Sequence, residues 1–196
     1  MNPLIAAYFA AILVQIVIRA RIDGARRAEK KVDQRITGRE RASLSLLSIN
    51  LLVAPILYAA TPWLAFADYA LPPWSGALGL ALLVVSLVLF WRGHADLGVQ
   101  WSPTLEIRER HQLITRGIYG VIRHPMYASL LLWGLAQPLL LHNWIAGGLG
   151  PITATIFYAL RVGPEERMML DAFGDEYRAY MRRVGGVVPR LGARST

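Results

Sequence analysis

Apolar residues gather into five runs along the chain, separated by polar and basic stretches. They extend from about Pro3 to Ile18, Leu44 to Phe66, Trp74 to Trp91, Met126 to Leu141 and Trp144 to Leu160. Runs of this kind predict transmembrane helices, each of which needs roughly 20 apolar residues. The first is short, and Arg19 and Arg21 extend it by snorkelling. Pro55 predicts a kink in the second. The last two are also short, and His142-Asn143 makes a turn between them, so they are expected to form a tight helical hairpin. Beyond the fifth run, Pro164-Glu165-Glu166 has the form of a helix start, with proline in the first turn and carboxylates at the positive dipole end. Met168, Met169, Ala172, Phe173 and Tyr180 then recur at helical spacing and predict an amphipathic surface helix. Gly174 is placed to bend that helix and Gly185-Gly186 to stop it. The expected fold is therefore all-α: an integral membrane bundle of five transmembrane helices with a C-terminal amphipathic cytoplasmic helix.

The basic residues orient this layout. Of the 21 Lys and Arg, one is Arg19, eight lie from Arg21 to Arg41, five from Arg92 to Arg123, and seven from Arg161 onward. With five spans all of them fall on one side, whereas four or six spans would scatter them. The positive-inside rule makes that side cytoplasmic, with the N-terminus outside and the C-terminus inside. Trp63, Tyr69, Trp74, Trp91, Trp101 and Trp144 fit the aromatic belts at the two interfaces. The loop from Arg21 to Arg41 reads first as an orientation signal lying near anionic headgroups.

Composition supports a membrane protein. Hydrophobic residues make up 55% and charged residues 17%, against roughly 25% charged in soluble domains. One small core cannot bury so much apolar surface, and a bilayer accepts it directly. The mean hydropathy of +0.38 agrees. The net charge of +8 is then assigned to lipid headgroups, and no nucleic-acid partner is expected. Without cysteine there is no disulfide, thiolate metal site or cysteine nucleophile. The N-terminus lacks the basic segment of a cleavable signal, so its apolar run is taken as a retained span.

Three places can carry chemistry. Arg123-His124-Pro125-Met126-Tyr127 puts a proline in the first turn of the fourth span, with His124 at the helix start and Tyr127 one turn inside. The free N–H groups there favour an anionic group, although a capped span with a snorkelling tyrosine explains the same residues. Arg161, Glu165 and Glu166 lie at the inner end of the fifth span. Alone they make an ordinary i, i+4 pair, but a hairpin of spans four and five brings them to His124 and Tyr127. The third place, His111 to Tyr119, is a polar loop entering span four, either a connector or one edge of a small-molecule site. Four histidines at unrelated spacings argue against a metal centre. Dinucleotide, phosphate-loop, zinc-protease and nucleophile-elbow signatures are absent from the sequence.

These motifs, in order, resemble a known family. His111-x-Leu113-Ile114-Thr115-x-Gly117-x-Tyr119, then Arg123-His124-Pro125-x-Tyr127, then Arg161 with Glu165-Glu166, then Phe173-Gly174-x-x-Tyr177-x-x-Tyr180 look like the isoprenylcysteine carboxyl methyltransferase family, kin of the membrane phospholipid methyltransferases. The resemblance covers Trp101 to Pro189, and the first three spans share only hydropathy. It implies S-adenosylmethionine as methyl donor and S-adenosylhomocysteine as product. The donor would sit on the cytoplasmic side, enclosed by the last two spans and the C-terminal helix. Carried over position by position, the donor site would include His111, Gln112, Leu113, Ile114, Tyr119, His124, Pro125, Met126, Tyr127 and Glu165. Arg161 matches the arginine that binds the acceptor, and Arg161 and Glu165 are the residues expected to carry catalysis.

The resemblance also implies a lipid-like or prenylated acceptor that enters from the membrane. A carboxylate is already nucleophilic and needs alignment more than a base, which Arg161 can give. A lipid amine would need a base such as Glu166 or His124. The reading adopted is carboxyl O-methylation. N-methylation of a lipid amine, a reductase of the sterol-reductase type and a non-enzymatic membrane protein stand as alternatives. One domain is expected: residues 1–100 form a membrane region of three spans with the basic loop 20–41, and residues 101–196 form a catalytic region. Its expected home is a bacterial inner membrane, with the active site facing the cytoplasm, membrane lipids around it, and no oligomeric state specified.

Overall fold

The computed structural model describes residues 2–26, 31–34, 38–98, 106–108 and 113–190. Helix α1 spans Pro3–Arg26, α2 Gly38–Ser48, α3 Ala54–Ala60, α4 Trp74–Leu97, α5 Pro125–Leu141 and α6 Leu149–Arg183. Three helical stretches are long and apolar enough to cross a membrane: Pro3–Arg21, Arg41–Ala60 and Trp74–Leu97. Pro125–Leu141 is a shorter apolar helix. The chain is an integral membrane protein, and among the described residues its regular elements are helices apart from one short ribbon. There β1 (Lys31–Gln34) pairs antiparallel with β2 (Glu106–Arg108) and joins the first basic loop to the loop that precedes α5. An all-α layout does not anticipate this pairing, because neither segment carries a strand-like apolar alternation.

The fifth apolar run departs from its expected form. Trp144 to Gly148 is a turn, and α6 begins only at Leu149. The helix then runs through Pro164 without a break and extends to Arg183. The expected helix start at Pro164-Glu165-Glu166 is thus an internal turn of one long helix. Proline removes one N–H and one hydrogen bond but does not stop a helix whose flanks are well packed. The bend sits at Gly174, at φ 52° and ψ −121°, a left-handed backbone that glycine adopts without the Cβ clash. Gly174 therefore bends the helix as anticipated.

Prolines in the spans release carbonyls that other helices then take up. Ile49–Val53 is a π-helical segment between α2 and α3, with the Ala54 N–H reaching back to the Ile49 carbonyl. Pro55 follows and offers no N–H to continue that ladder. The Asn50 carbonyl accepts Gln137 Nε2 at 3.0 Å, and the Leu51 carbonyl accepts the Tyr8 hydroxyl at 2.9 Å. Thr153 Oγ1 donates to Asn50 Oδ1 at 2.9 Å. One irregular turn thereby ties α1, α5 and α6 to the second span. Unsatisfied backbone groups are expensive away from water, so these bonds hold the bundle in register.

The backbones of α5 and α6 approach closely where the two helices cross. A Cβ on Gly150 would lie 2.8 Å from the Gly134 carbonyl oxygen, and a Cβ on Gly134 would lie 2.8 Å from that of Gly150. Small residues are needed at such a crossing. The Gly134 carbonyl is also the group that Pro138 leaves without its helical partner. Helix α4 closes on α5 through the buried serines Ser86 and Ser129, each hydroxyl donating to the other residue's carbonyl, at 2.7 and 2.8 Å. Tyr8, Leu83, Trp133, Ala136 and Leu140 form the core between these helices. At the opposite end from the site, Asn143 accepts from the Ile145 and Ala146 N–H groups and donates to Leu64 and Asp68.

Gly150→Val should push α5 and α6 apart and lower stability by about 2 kcal/mol or more. Thermal unfolding in detergent measures this. Gly163→Ala, where only the far end of Arg167 comes within 4 Å of an added Cβ, should leave the midpoint nearly unchanged.

Candidate active site

The site forms where α5 begins and α6 leaves the bundle. Pro125 opens α5, and His124 precedes it at φ −125° and ψ 60°. Ahead of them, the 3-10 turn Gly117–Gly120 is fixed by Asp96, whose carboxylate accepts the Ile118 N–H at 2.7 Å. Gly117 has φ 61°, and a Cβ there would fall 2.3 Å from the Asp96 carboxylate. Glycine is required on both counts. The segment after α6 returns to the same place: the Arg123 and His124 N–H groups donate to the Gly185 and Gly186 carbonyls at 2.8 and 3.1 Å. The glycine pair thus ends α6 and also pairs with the backbone of the motif. Tyr180 adds a hydroxyl bond to the Tyr119 carbonyl at 2.6 Å.

The side chains converge. Tyr127 donates its hydroxyl to Glu165 Oε2 at 2.5 Å. His124 Nε2 lies 3.0 Å from Glu166 Oε1, and Nδ1 lies 3.5 Å from Glu165 Oε1. Arg123 Nη2 reaches the same Glu166 Oε1 at 2.7 Å, and Arg123 Nη1 donates to the Met181 and Val184 carbonyls. Arg161 is buried at 6% exposure, its guanidinium carbon 5.0 Å from the Phe157 ring centre. The hairpin therefore brings Arg161 and Glu165 to His124 and Tyr127, as the sequence led us to expect.

Charge in this cluster is mutually stabilised. Burial alone would push the His124 imidazolium down, but hydrogen bonds and charge from Glu165 and Glu166 outweigh it and raise its pKa to about 9. Glu166 is lowered to about 2, chiefly by its hydrogen bond with His124, with Arg123 adding to the effect. Glu165 is also lowered: burial opposes its charge, and the His124 hydrogen bond prevails. At neutral pH the cluster holds one imidazolium between two carboxylates.

A cavity of about 450 Å³ opens beside the cluster. Leu113, Ile114, Tyr119, His124, Pro125, Met126, Tyr127, Arg161 and Glu165 all line it. His111 and Gln112 lie outside the described residues. Its far wall comes from the first spans and is mostly apolar, with Ile12 and Ile16 from α1 and Leu44, Leu47 and Leu51 from the second span, interrupted by Gln15, Arg19 and Ser48. The expectation that spans one to three share only hydropathy with the family left this wall unread. Tyr177 and Tyr180 also line the cavity, a role that their spacing within Phe173 to Tyr180 does not by itself assign. Asp96 carries no sequence signal beyond charge, and Arg123 and Glu166 lie in the motifs without any sign there that they pair with each other.

Residues 77–171 match the isoprenylcysteine carboxyl methyltransferase (ICMT) family. The resemblance carried by the motifs holds. Over 118 residues, 59% of this chain and 60% of the relative, the chain is 30% identical to protein-S-isoprenylcysteine O-methyltransferase B of Arabidopsis thaliana. It is 34% identical over 81 residues, 41% of this chain and 34% of the relative, to the Schizosaccharomyces pombe protein-S-isoprenylcysteine O-methyltransferase. With the Mus musculus enzyme it shares 30% over 118 residues, 59% of this chain and 42% of the relative. The chain thus spans about 60% or less of these relatives' length. Its fold is similar to the solved structure of the eukaryotic intramembrane Ras methyltransferase ICMT, with a TM-score of 0.54 at 22% identity, covering 82% of this chain and 56% of that one. The ICMT match spans the α4–α6 core, and the motif cluster closes where those helices meet.

Stability should follow the cluster's charges. The raised His124 pKa stabilises the fold fully below about pH 6.5 and ceases to do so as pH rises through about 9. The lowered Glu166 pKa stabilises it above about pH 4.5 and is lost as pH falls toward 2. The thermal unfolding midpoint in detergent should therefore be highest between about pH 5 and 6.5 and decline toward pH 10. In His124→Ala the alkaline decline should largely flatten.

Proposed function

We propose that the chain is a membrane methyltransferase that uses S-adenosylmethionine to O-methylate a carboxylate on a lipid-like, prenylated cysteine-type acceptor. The observation that carries this reading is the cavity, which joins a charged, aromatic end at His124, Tyr127, Arg161 and Glu165 to a mostly apolar wall from the first spans. A donor with an amino acid end and a lipidic acceptor call for such a division.

The residues fit the donor. Glu165 offers a carboxylate to its ammonium group, His124 an imidazolium to its carboxylate, and Tyr119, Tyr127 and Tyr177 aromatic faces for its base or sulfonium. The cavity volume lies in the range of small-molecule sites. Bound there, S-adenosylmethionine supplies an electrophilic methyl group on a sulfonium. Arg161 holds the acceptor carboxylate by charge-assisted hydrogen bonds and aligns it. The apolar wall excludes water and receives the tail.

The charge state favours a carboxylate over an amine. An amine must lose a proton before it attacks, which requires a nearby base. His124 is already protonated at neutral pH, and Glu166, with a pKa near 2, is a weak base engaged by Arg123. A carboxylate acceptor needs neither.

In the membrane we propose five spans, with the N-terminus outside and the site on the cytoplasmic face of a bacterial inner membrane. The one-sided distribution of Lys and Arg supports this. The fifth crossing would use the first half of α6, and the rest of that helix would continue beyond the bilayer as the wall of the site. Residues 101–196 supply most of the chemistry and residues 1–100 the acceptor wall, within one domain.

Calorimetry on the detergent-purified protein tests the donor. S-adenosylhomocysteine should bind and NADPH should not. Glu165→Ala and His124→Ala should each weaken S-adenosylhomocysteine about tenfold or more. Unchanged affinity in both variants, or binding of NADPH alone, would remove the assignment.

A further inference from the structure

The adjacent glutamates Glu165 and Glu166 occupy different surroundings. Glu165 lines the cavity and accepts the Tyr127 hydroxyl. Glu166 does not line it, although His124 and Arg123, both bonded to Glu166, do. A single oxygen, Glu166 Oε1, receives Arg123 Nη2 at 2.7 Å and His124 Nε2 at 3.0 Å. Arg123 is fixed in turn on the Met181 and Val184 carbonyls.

We infer that Glu166 is a positioning residue: it holds the His124 ring by Nε2 and keeps it charged, so that Nδ1–H faces the cavity as a fixed cationic donor for an anionic group of the ligand. Glu165 alone of the pair meets the ligand. The geometry separates the two nitrogens of His124. Nε2 is engaged by Glu166 at 3.0 Å, whereas Nδ1 makes a longer ion pair of 3.5 Å with Glu165 Oε1, a residue that lines the cavity, so a carboxylate entering the cavity can share Nδ1 with Glu165. An imidazole fixed at one nitrogen by a carboxylate has its tautomer and orientation set for the other. The inference rests on the donor reading above, since it supplies the anionic group.

A purely structural Glu166 is the competing account, because Arg123 also fastens the end of α6 to the motif. The two differ in what pH does. The groups set against His124 are Glu165 and Glu166 from α6 and the Tyr127 ring from α5, with its neighbour Arg123 on the same Glu166 oxygen. Of these only Glu166 bonds Nε2. Removing its charge while keeping its shape leaves Glu165 as the one carboxylate beside the ring, so the His124 pKa should fall from about 9 toward neutrality. A structural prop would lower stability and leave the pH dependence of binding alone.

The test uses the full chain in detergent and S-adenosylhomocysteine as the probe. In wild type, affinity should vary by less than about threefold from pH 6 to about 8, and the ¹⁵N resonances of His124 should be those of an imidazolium throughout. In Glu166→Gln, affinity should fall about tenfold or more over the same range as His124 becomes neutral, and Glu166→Asp should restore much of the flat profile. Glu165→Gln should weaken binding at every pH. A flat profile in Glu166→Gln overturns the inference, as does a neutral His124 in wild type at pH 7.5. If Glu166→Gln does not fold, the wild-type resonances and the Glu166→Asp profile decide. If wild type fails to bind S-adenosylhomocysteine, the donor reading falls, and the histidine resonances in wild type and variant still test the hold on His124.

Discussion

Two carboxylates carried on a half-buried stretch of α6, facing an arginine and a histidine just ahead of α5, set the terms for the rest of this molecule. Glu165 and Glu166 sit one after the other on α6, so their side chains diverge, one toward Tyr127 and the other toward Arg123 and His124. Isolated charges near a bilayer are expensive and hold their place only when paired. The pairing demands that α5 and α6 lie side by side, and the glycine crossing at Gly134 and Gly150 lets them do so. It also demands that the chain after α6 return to the start of α5, which Gly185 and Gly186 accomplish by bonding to Arg123 and His124. The cavity is what remains between this closed charged corner and the first spans.

The charges then bias the chemistry. A histidine between two glutamates is an acid at neutral pH, not a base, and a glutamate held near pKa 2 has little affinity for a proton. A site of this kind is better suited to bind and align ions than to transfer protons. Methyl transfer from a sulfonium to a carboxylate is a reaction of that type, in which position and desolvation supply most of the acceleration. The apolar wall from α1 and the second span gives the polar corner a route to lipid.

Much of this was legible in the sequence because hydropathy and motif order are local signals. The three long spans, the hairpin partnership of α5 and α6, the bend at Gly174 and the convergence of His124, Tyr127, Arg161 and Glu165 all follow from runs, spacings and breakers. Pro164 misled because a proline preceding two acids has the form of a helix start, and only packing on both sides reveals an internal turn. The ribbon between residues 31–34 and 106–108 pairs segments far apart in the chain that carry no strand pattern. The work of Asp96 and of the Gly185-Gly186 pair was hidden for the same reason: each acts on a backbone group distant in sequence. The π-helical turn was signalled only as a kink at Pro55, although its carbonyls hold three other elements.

The central claim is that an acceptor carboxylate is methylated beside Arg161. It is tested by incubating membranes containing the protein with methyl-labelled S-adenosylmethionine and an N-acyl S-farnesyl cysteine, then treating the extracted product with base. The account predicts lipid-extractable label that base releases as volatile methanol, and that falls by about a hundredfold in Arg161→Ala while S-adenosylhomocysteine affinity changes less than about threefold. Label that survives base, or that is undiminished without Arg161, would contradict it.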